Sequence, residues 1–141
     1  MSHKYVDLGR VSTLPAGTSV YTMGVILHPG TLVKVAIRGK SVSQRDVLLT
    51  SPSGSMKLTL WGSVALKFNA MGQVVVVRGS WVKEHKGVKN LSLPTTGSYE
   101  VKPVGVQGVQ ELVAWWKEQE EMRKKGLLAN LEVLKSELEH R

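Results

Sequence analysis

Lys57, Thr59 and Trp61 put a cation, a hydroxyl and a flat aromatic at alternate positions of one short stretch, Ser55 to Gly62. In an extended segment successive side chains point to opposite faces, so these three share one face while Leu58 and Leu60 take the other. An aromatic ring can stack on a base and an ammonium can meet a phosphate, which together hold a single nucleic-acid strand. The same alternation also suits a tryptophan that caps the end of a barrel, and the stretch alone leaves both uses open. Trp81, Lys83 and His85 repeat the arrangement further along the chain, and Lys34, Arg38, Arg45, Lys86 and Lys89 add cations on or between segments of the same kind.

The 141 residues, 42% of them hydrophobic, suffice for one domain with its own core and an appendage. Their charge is uneven. Residues 1–107 carry 13 Lys/Arg against 4 Asp/Glu, while residues 108–141 carry 6 against 7, so the body stands at +9 and the tail at −1. A basic body favours a polyanionic partner, and a balanced tail favours a protein partner or self-packing. Cysteine is absent, which removes disulfides, thiolate metal sites and cysteine nucleophiles. His3, His28, His85 and His140 stand at no metal-ligand spacing, so neither a metal nor a cofactor is expected. Apolar runs such as Val74–Val77 are too short to span a bilayer and the N-terminus lacks a signal-peptide core, so a soluble intracellular protein with no membrane partner is expected. Ser, His and Asp occur without a nucleophile elbow, phosphate loop or metal motif to unite them, so no enzyme is expected.

Strands must position these side chains. Residues 1–17 read as a polar lead-in hugging the domain edge, with Tyr5, Val6, Leu8 and Val11 able to pack on a neighbour and a turn at Leu14–Gly17. Val20–Leu27 is β-rich, and Gly24 in its middle marks a bulge or bend where the strand passes between two halves of a sheet. Val33, Val35 and Ile37 alternate with Lys34, Ala36 and Arg38, which predicts a strand with an inward valine face and an outward basic one. Arg45–Thr50 and the stretch from Ser55 flank the turn Ser51–Gly54 and predict a hairpin. Ser63–Phe68 suits a helical turn or two capped by Ser63, and Gln73–Val77 a valine strand suited to burial on both faces that continues through Trp81–His85. Lys86–Asn90 reads as a basic hairpin loop, and Leu91 to Val101 as a closing strand interrupted at Pro94. About five strands with a short helix between the third and fourth fit a mostly β, five-stranded OB-fold barrel over residues 18–107 better than a sandwich.

From residue 108 the period changes. Val109, Leu112, Val113, Trp116 and Met122 mark a helical stripe, Gly126 breaks it, and Leu127, Leu131, Leu134 and Leu138 resume it with heptad spacing. The part after Gly126 is too short for a stable isolated helix. Residues 108–141 therefore read as a helical extension for oligomerisation or partner binding through Leu112, Trp116, Leu127, Leu131, Leu134 and Leu138. Folding back onto the chain's own barrel is the other use of such a stripe.

Leu58–Phe68, Leu-Thr-Leu-Trp-Gly-Ser-Val-Ala-Leu-Lys-Phe, resembles the strand-then-helix signature of the OB domains in the large subunit of replication protein A. Ser53-Gly54 resembles that family's turn, Val74–Gly79 its fourth strand ending in a basic residue and glycine, Gly87–Ser92 its closing Gly-x-basic-x-Leu-Ser, and Val109–Trp116 its terminal helix. The resemblance covers residues 20–118, and the family's meiotic and telomeric relatives share the signature. It implies an OB domain that binds single-stranded DNA in replication, repair, recombination or telomere maintenance, within a protein complex and in the nucleus. Carried over by residue, it places Trp61 where a family aromatic stacks on a base, and His85 where a second one lies between the last two strands. Trp81 shares the predicted face of His85. Lys34, Arg38, Arg45 and Lys89 stand in for basic family residues on the second and last strands. Three departures are visible: His85, with an insertion nearby, stands where the family has its second stacking aromatic, the acidic residue before the Ser-Gly turn is Ser51 or Pro52 here, and the family's zinc-bearing domain has no counterpart without cysteines.

The expectation is one barrel that binds single-stranded DNA with little sequence preference. Trp61 with Trp81 or His85 would stack bases, and Lys34, Arg38, Arg45, Lys57, Lys83, Lys86 and Lys89 would meet phosphates. A barrel that has lost its ligand and assembles a larger complex is an alternative, as is an RNA-binding OB domain, since stacking does not distinguish ribose from deoxyribose.

Overall fold

The computed structural model describes residues 5–139, with the side chains of all but 28, 29, 128–132 and 139. In order these form α1 (Leu8–Val11), β1 (Ser19–Pro29), β2 (Val33–Ile37), β3 (Lys40–Ser51), β4 (Gly54–Trp61), α2 (Gly62–Lys67), β5 (Val74–His85), β6 (Val88–Leu93), β7 (Ser98–Val101) and α3 (Val109–Glu139). β1 pairs with β3, β3 with β4, β4 with β6, β6 with β5, and β5 again with β1. Closing the sheet in this way removes the exposed edges that an open sheet would leave. β4 and β6 run parallel, with Leu58 beside Leu91. β2 and β7 lie outside the ring, on β3 and β5.

One strand serves two neighbours. Ser19–Val25 of β1 pairs with β5 and Val25–Pro29 with β3, so the handover falls beside Gly24. A Cβ at Gly24 would lie 2.8 Å from the Thr50 carbonyl oxygen and 2.9 Å from Leu49 Cγ, so the close approach of β3 requires the glycine. The register slips flank it, at Val20/Thr22 and Ile26/His28.

Alternation along the strands creates two cores. Leu49, Met56, Leu58, Leu60, Val75, Val77, Leu91 and Leu93 belong to the main one. α1 adds Leu8 and Val11 to it, and Gly9 N–H meets Ser53 Oγ at the β3–β4 turn at 3.0 Å. The lead-in therefore supplies core side chains, beyond the edge wrap that its polar character suggests. Val74 and Val76 point the other way and join Val25 in an outer strip. The run Val74–Val77 is buried on both faces, as its unbroken apolar character implies. α2 starts at Gly62 rather than after Ser63, and no side chain caps it. Gly62 has φ 63°, and a Cβ there would lie 2.5 Å from Thr95 Cγ2, so this strand-to-helix junction depends on glycine.

The first turns of α3 cover the outer strip. Val109 and Leu112 are buried on it, and Val113, Trp115 and Trp116 pack alongside. Two expected docking residues, Leu112 and Trp116, are thus turned onto the chain's own barrel, because Val25, Val74 and Val76 leave an apolar strip that needs a second layer. The expected break at Gly126 is also absent: α3 runs through it unbroken. One interior glycine costs only ~1 kcal/mol relative to alanine. Past the barrel, Leu127, Leu134 and Leu138 are exposed at 58%, 56% and 67%. The side chain of Leu131 lies outside the described residues. Among the described residues no helix is long and apolar enough to cross a membrane.

Candidate nucleic-acid interface

The strand registers assemble the site. Asp46 lies opposite Thr59, Thr59 beside Ser92, and Ser92 opposite Trp81. Residues paired across adjacent strands point to the same side of a sheet. One row, Asp46–Thr59–Ser92–Trp81, therefore crosses β3, β4, β6 and β5 on the outside of the barrel, opposite the side to which Leu58, Val82 and Leu91 turn.

Trp61 stands one step along β4 from that row, paired with Gln44. Its Nε1–H donates to Ser92 Oγ at 2.9 Å, and its ring is half-buried. Trp81 is 42% exposed. The two indoles thus flank β6 from strands about 10 Å apart, two strand spacings. Lys57 and Lys83 share the face, both exposed. Thr59 Oγ1 donates to Asp46 Oδ1 at 2.7 Å, while Lys57 Nζ is 3.9 Å from Asp46 Oδ2.

Two hairpin tips border the face. His85 closes β5 opposite Val88, and the turn between them is Lys86–Gly87, with φ of 51° and 79°. Arg38–Gly39, with φ of 50° and 79°, makes the same two-residue turn between β2 and β3. Left-handed conformations at both central residues match the twist of paired strands, so the turns hold Arg38 and Lys86 at exposed tips.

Three predicted cations point to the other side of their strands. Lys34 faces Ser43 and donates to its Oγ at 2.8 Å. Arg45 donates through Nε to the Ala65 carbonyl and through Nη1 to the Gly30 carbonyl, each at 3.0 Å. Lys89 Nζ donates to the Leu14 carbonyl at 2.8 Å. Each is one residue out of phase with Trp61 or Trp81, and these bonds tie α2, the β1–β2 loop and the N-terminal segment to the barrel. β2 reverses its expected faces for a related reason. Val33 and Val35 share the side of Gln44 and Val42, and Val33 and Ile37 are exposed, because β2 lies outside the ring with no core beneath it. The structure thus brings together Trp61, Trp81, His85, Lys57 and Lys83 on one face, with Arg38 and Lys86 at its margins. It adds Gln44, Asp46, Asn90 and Ser92, which carry no signal in the sequence until the register is known.

A groove of about 1100 Å³, lined in part by Tyr5, Tyr21, Met23, Arg78 and Glu111, shares no residue with this face. Arg78 there donates to Glu100 Oε1 and to the Tyr5 hydroxyl, each at 2.9 Å. These two bonds, Glu100 first, raise its pKa above the ordinary guanidinium value.

A closed five-strand ring with a short helix between its third and fourth strands defines an OB-fold domain. Residues 8–102 match the family described as the replication protein A OB domain, and the chain belongs to that family. It is 29% identical over 120 residues to the replication protein A 70 kDa DNA-binding subunit of Drosophila melanogaster, covering 82% of this chain and 20% of that one. It therefore spans about one fifth of that relative's length. Among solved structures, a replication protein A heterotrimer bound to single-stranded DNA superimposes with a TM-score of 0.76 at 22% identity, over 84% of this chain and 29% of that one. The second OB-fold domain of replication protein A from Methanococcus maripaludis superimposes with a TM-score of 0.57 at 16% identity, over 72% of this chain and 100% of that one. At these identities both structures speak for the fold.

Proposed function

We propose that this chain is a single-stranded DNA-binding module of the replication protein A type, acting in replication, repair, recombination or telomere maintenance in the nucleus as part of a larger assembly. The observation that carries the reading is the pair Trp61 and Trp81, which stand on either side of Ser92 on one outer face with Lys57 and Lys83. Each indole offers a base a stacking surface worth about 1–3 kcal/mol, and the ammonium groups supply a salt-dependent attraction for phosphates. His85, Arg38 and Lys86 extend the same face to its hairpin tips. The role is binding rather than catalysis. The exposed Leu127, Leu134 and Leu138 of α3 support a second role, in which the helix beyond the barrel docks on a partner protein or a second copy.

Fluorescence anisotropy of a labelled mixed-sequence strand of about 30 nucleotides, long enough for more than one OB site, tests the reading at two salt concentrations. Tight binding that weakens with salt and exceeds binding to the duplex is the expected result. No binding to the single strand would shift the reading to an assembly subunit without a ligand, and stronger competition by RNA of the same sequence would shift it to RNA.

A further inference from the structure

We propose that Asp46 reads the edge of the base stacked on Trp61, so that the barrel favours cytosine over thymine at that position. This rests on the stacking role of Trp61 proposed above and replaces the expected lack of sequence preference with a defined one. A carboxylate on a face that receives phosphates is anomalous, because it repels them. The other two carboxylates carried by strands lie elsewhere: Glu84 is one residue out of phase with Lys83, and Glu100 on β7 is engaged by Arg78.

The geometry gives Asp46 a use. Its side chain is 49% exposed. Oδ1 accepts from Thr59 Oγ1 at 2.7 Å, which fixes the orientation of the carboxylate, whereas Oδ2 has Lys57 Nζ at 3.9 Å, beyond hydrogen-bonding distance. An ionised carboxylate has about four acceptor positions and no donor, so Oδ2, ion-paired with Lys57 but hydrogen-bonded to no described residue, keeps acceptor positions open. Asp46 is two residues along β3 from Gln44, which lies opposite Trp61. That diagonal is about 7–8 Å; Nε1 of the indole points the other way, to Ser92 on β6, so a base stacked on the ring reaches Asp46 by extending back across β4.

The pyrimidines differ in what they turn toward such an acceptor. Cytosine presents its N4 amine, a donor, where thymine presents O4, a second acceptor. The first completes a charge-assisted hydrogen bond, and the second sets lone pairs against lone pairs. Gln44 carries both a donor and an acceptor and adapts to either base, so discrimination falls to Asp46.

The test is anisotropy of the full chain at pH 7.5 with oligo-dC and oligo-dT of equal length, for wild type and Asp46→Asn. Wild type should bind oligo-dC roughly tenfold more tightly than oligo-dT. Asp46→Asn keeps an acceptor for Thr59 and removes the negative charge, so it should bind at least as tightly overall, with the ratio falling to one or below because the NH2 that takes the place of Oδ2 donates to thymine O4 and opposes the cytosine amine. A purely electrostatic role for Asp46 would move both affinities and leave the ratio unchanged, which overturns the proposal. So does equal affinity of wild type for the two oligomers, a comparison that needs no variant. If wild type bound neither these oligomers nor the mixed strand, the single-strand reading itself would fall.

Discussion

The indole Nε1 of Trp61 donates to Ser92 Oγ at 2.9 Å, and Ser92 is the residue opposite Trp81 in the β5–β6 ladder. One hydroxyl on the middle strand thus orients the ring on one neighbouring strand and lies beside the ring on the other. Removing it should free the Trp61 indole to turn while leaving the barrel intact. Ser92→Ala is expected to cost about 1 kcal/mol of stability, one neutral hydrogen bond, to change tryptophan emission and to weaken single-strand binding several-fold. Ser92→Thr keeps the hydroxyl and should restore much of the affinity. A full-affinity Ser92→Ala protein would show that the bond serves the fold and leaves the ligand untouched.

The two indoles should be separable from the core. Trp61 is half-buried and Trp81 is exposed, while Leu58 and Leu60 carry the buried side of β4. Trp61→Ala and Trp81→Ala are each expected to reduce affinity by about 1–3 kcal/mol, with cooperative thermal transitions that stay close to wild type for Trp81→Ala and fall by at least the Ser92 bond, about 1 kcal/mol, for Trp61→Ala. Because the rings sit on different strands, the double variant should weaken by about the sum of the two single effects if they hold different bases. Collapse of the thermal transition in Trp61→Ala would instead make that ring structural.

Cations on the two sides of the strands should answer different assays. Lys83→Ala removes an exposed charge from the tryptophan face, so it should flatten the salt dependence of binding by about 0.7 in the log–log slope for each single-strand phosphate that the lysine neutralises. Its melting temperature should hardly move. Arg45→Met removes the donors that reach the carbonyls of Ala65 and Gly30 and should cost about 1–3 kcal/mol for each acceptor left unpaired. Denaturant unfolding alongside anisotropy separates the effects, and a Lys83→Ala protein with an unaltered salt slope would remove that lysine from the interface.

The barrel is legible in the sequence because its signals are local. The alternation from Met56 to Trp61, the double-sided valines of β5, the turn at Ser51–Gly54 and the bend at Gly24 each follow from side-chain parity or backbone freedom, and the ring respects all four. The Trp61 face follows from the same parity. Lys34, Arg45 and Lys89 enter the expected site on charge and on the family resemblance, although whether each meets ligand or scaffold depends on which neighbours lie beneath it. The valines of β2 mislead for the same reason: their pattern is that of a core strand, but β2 sits outside the closed ring. Asp46, Ser92 and Trp81 come from three separate stretches, and only the register of four strands puts them in one row.

The two halves of α3 present apolar residues of similar sequence character to different surroundings, so substitutions along it should divide sharply. Leu112 is 7% exposed in the strip formed by Val25, Val74 and Val76. Leu112→Asp would bury a carboxylate with no partner, and a destabilisation of several kcal/mol with a lowered melting temperature is expected. Leu127 and Leu134 belong to neither core and are more than half exposed. Leu127→Asp/Leu134→Asp should leave the melting temperature of the barrel and its single-strand affinity unchanged while removing whatever association the distal helix supports. Light scattering after size exclusion, over a range of concentrations and with any copurifying partner, reads the association directly. A double variant with unchanged mass and unchanged partners would leave the distal leucines of α3 without a docking role, whereas selective loss of association with intact DNA binding would assign the barrel and the distal helix separate tasks.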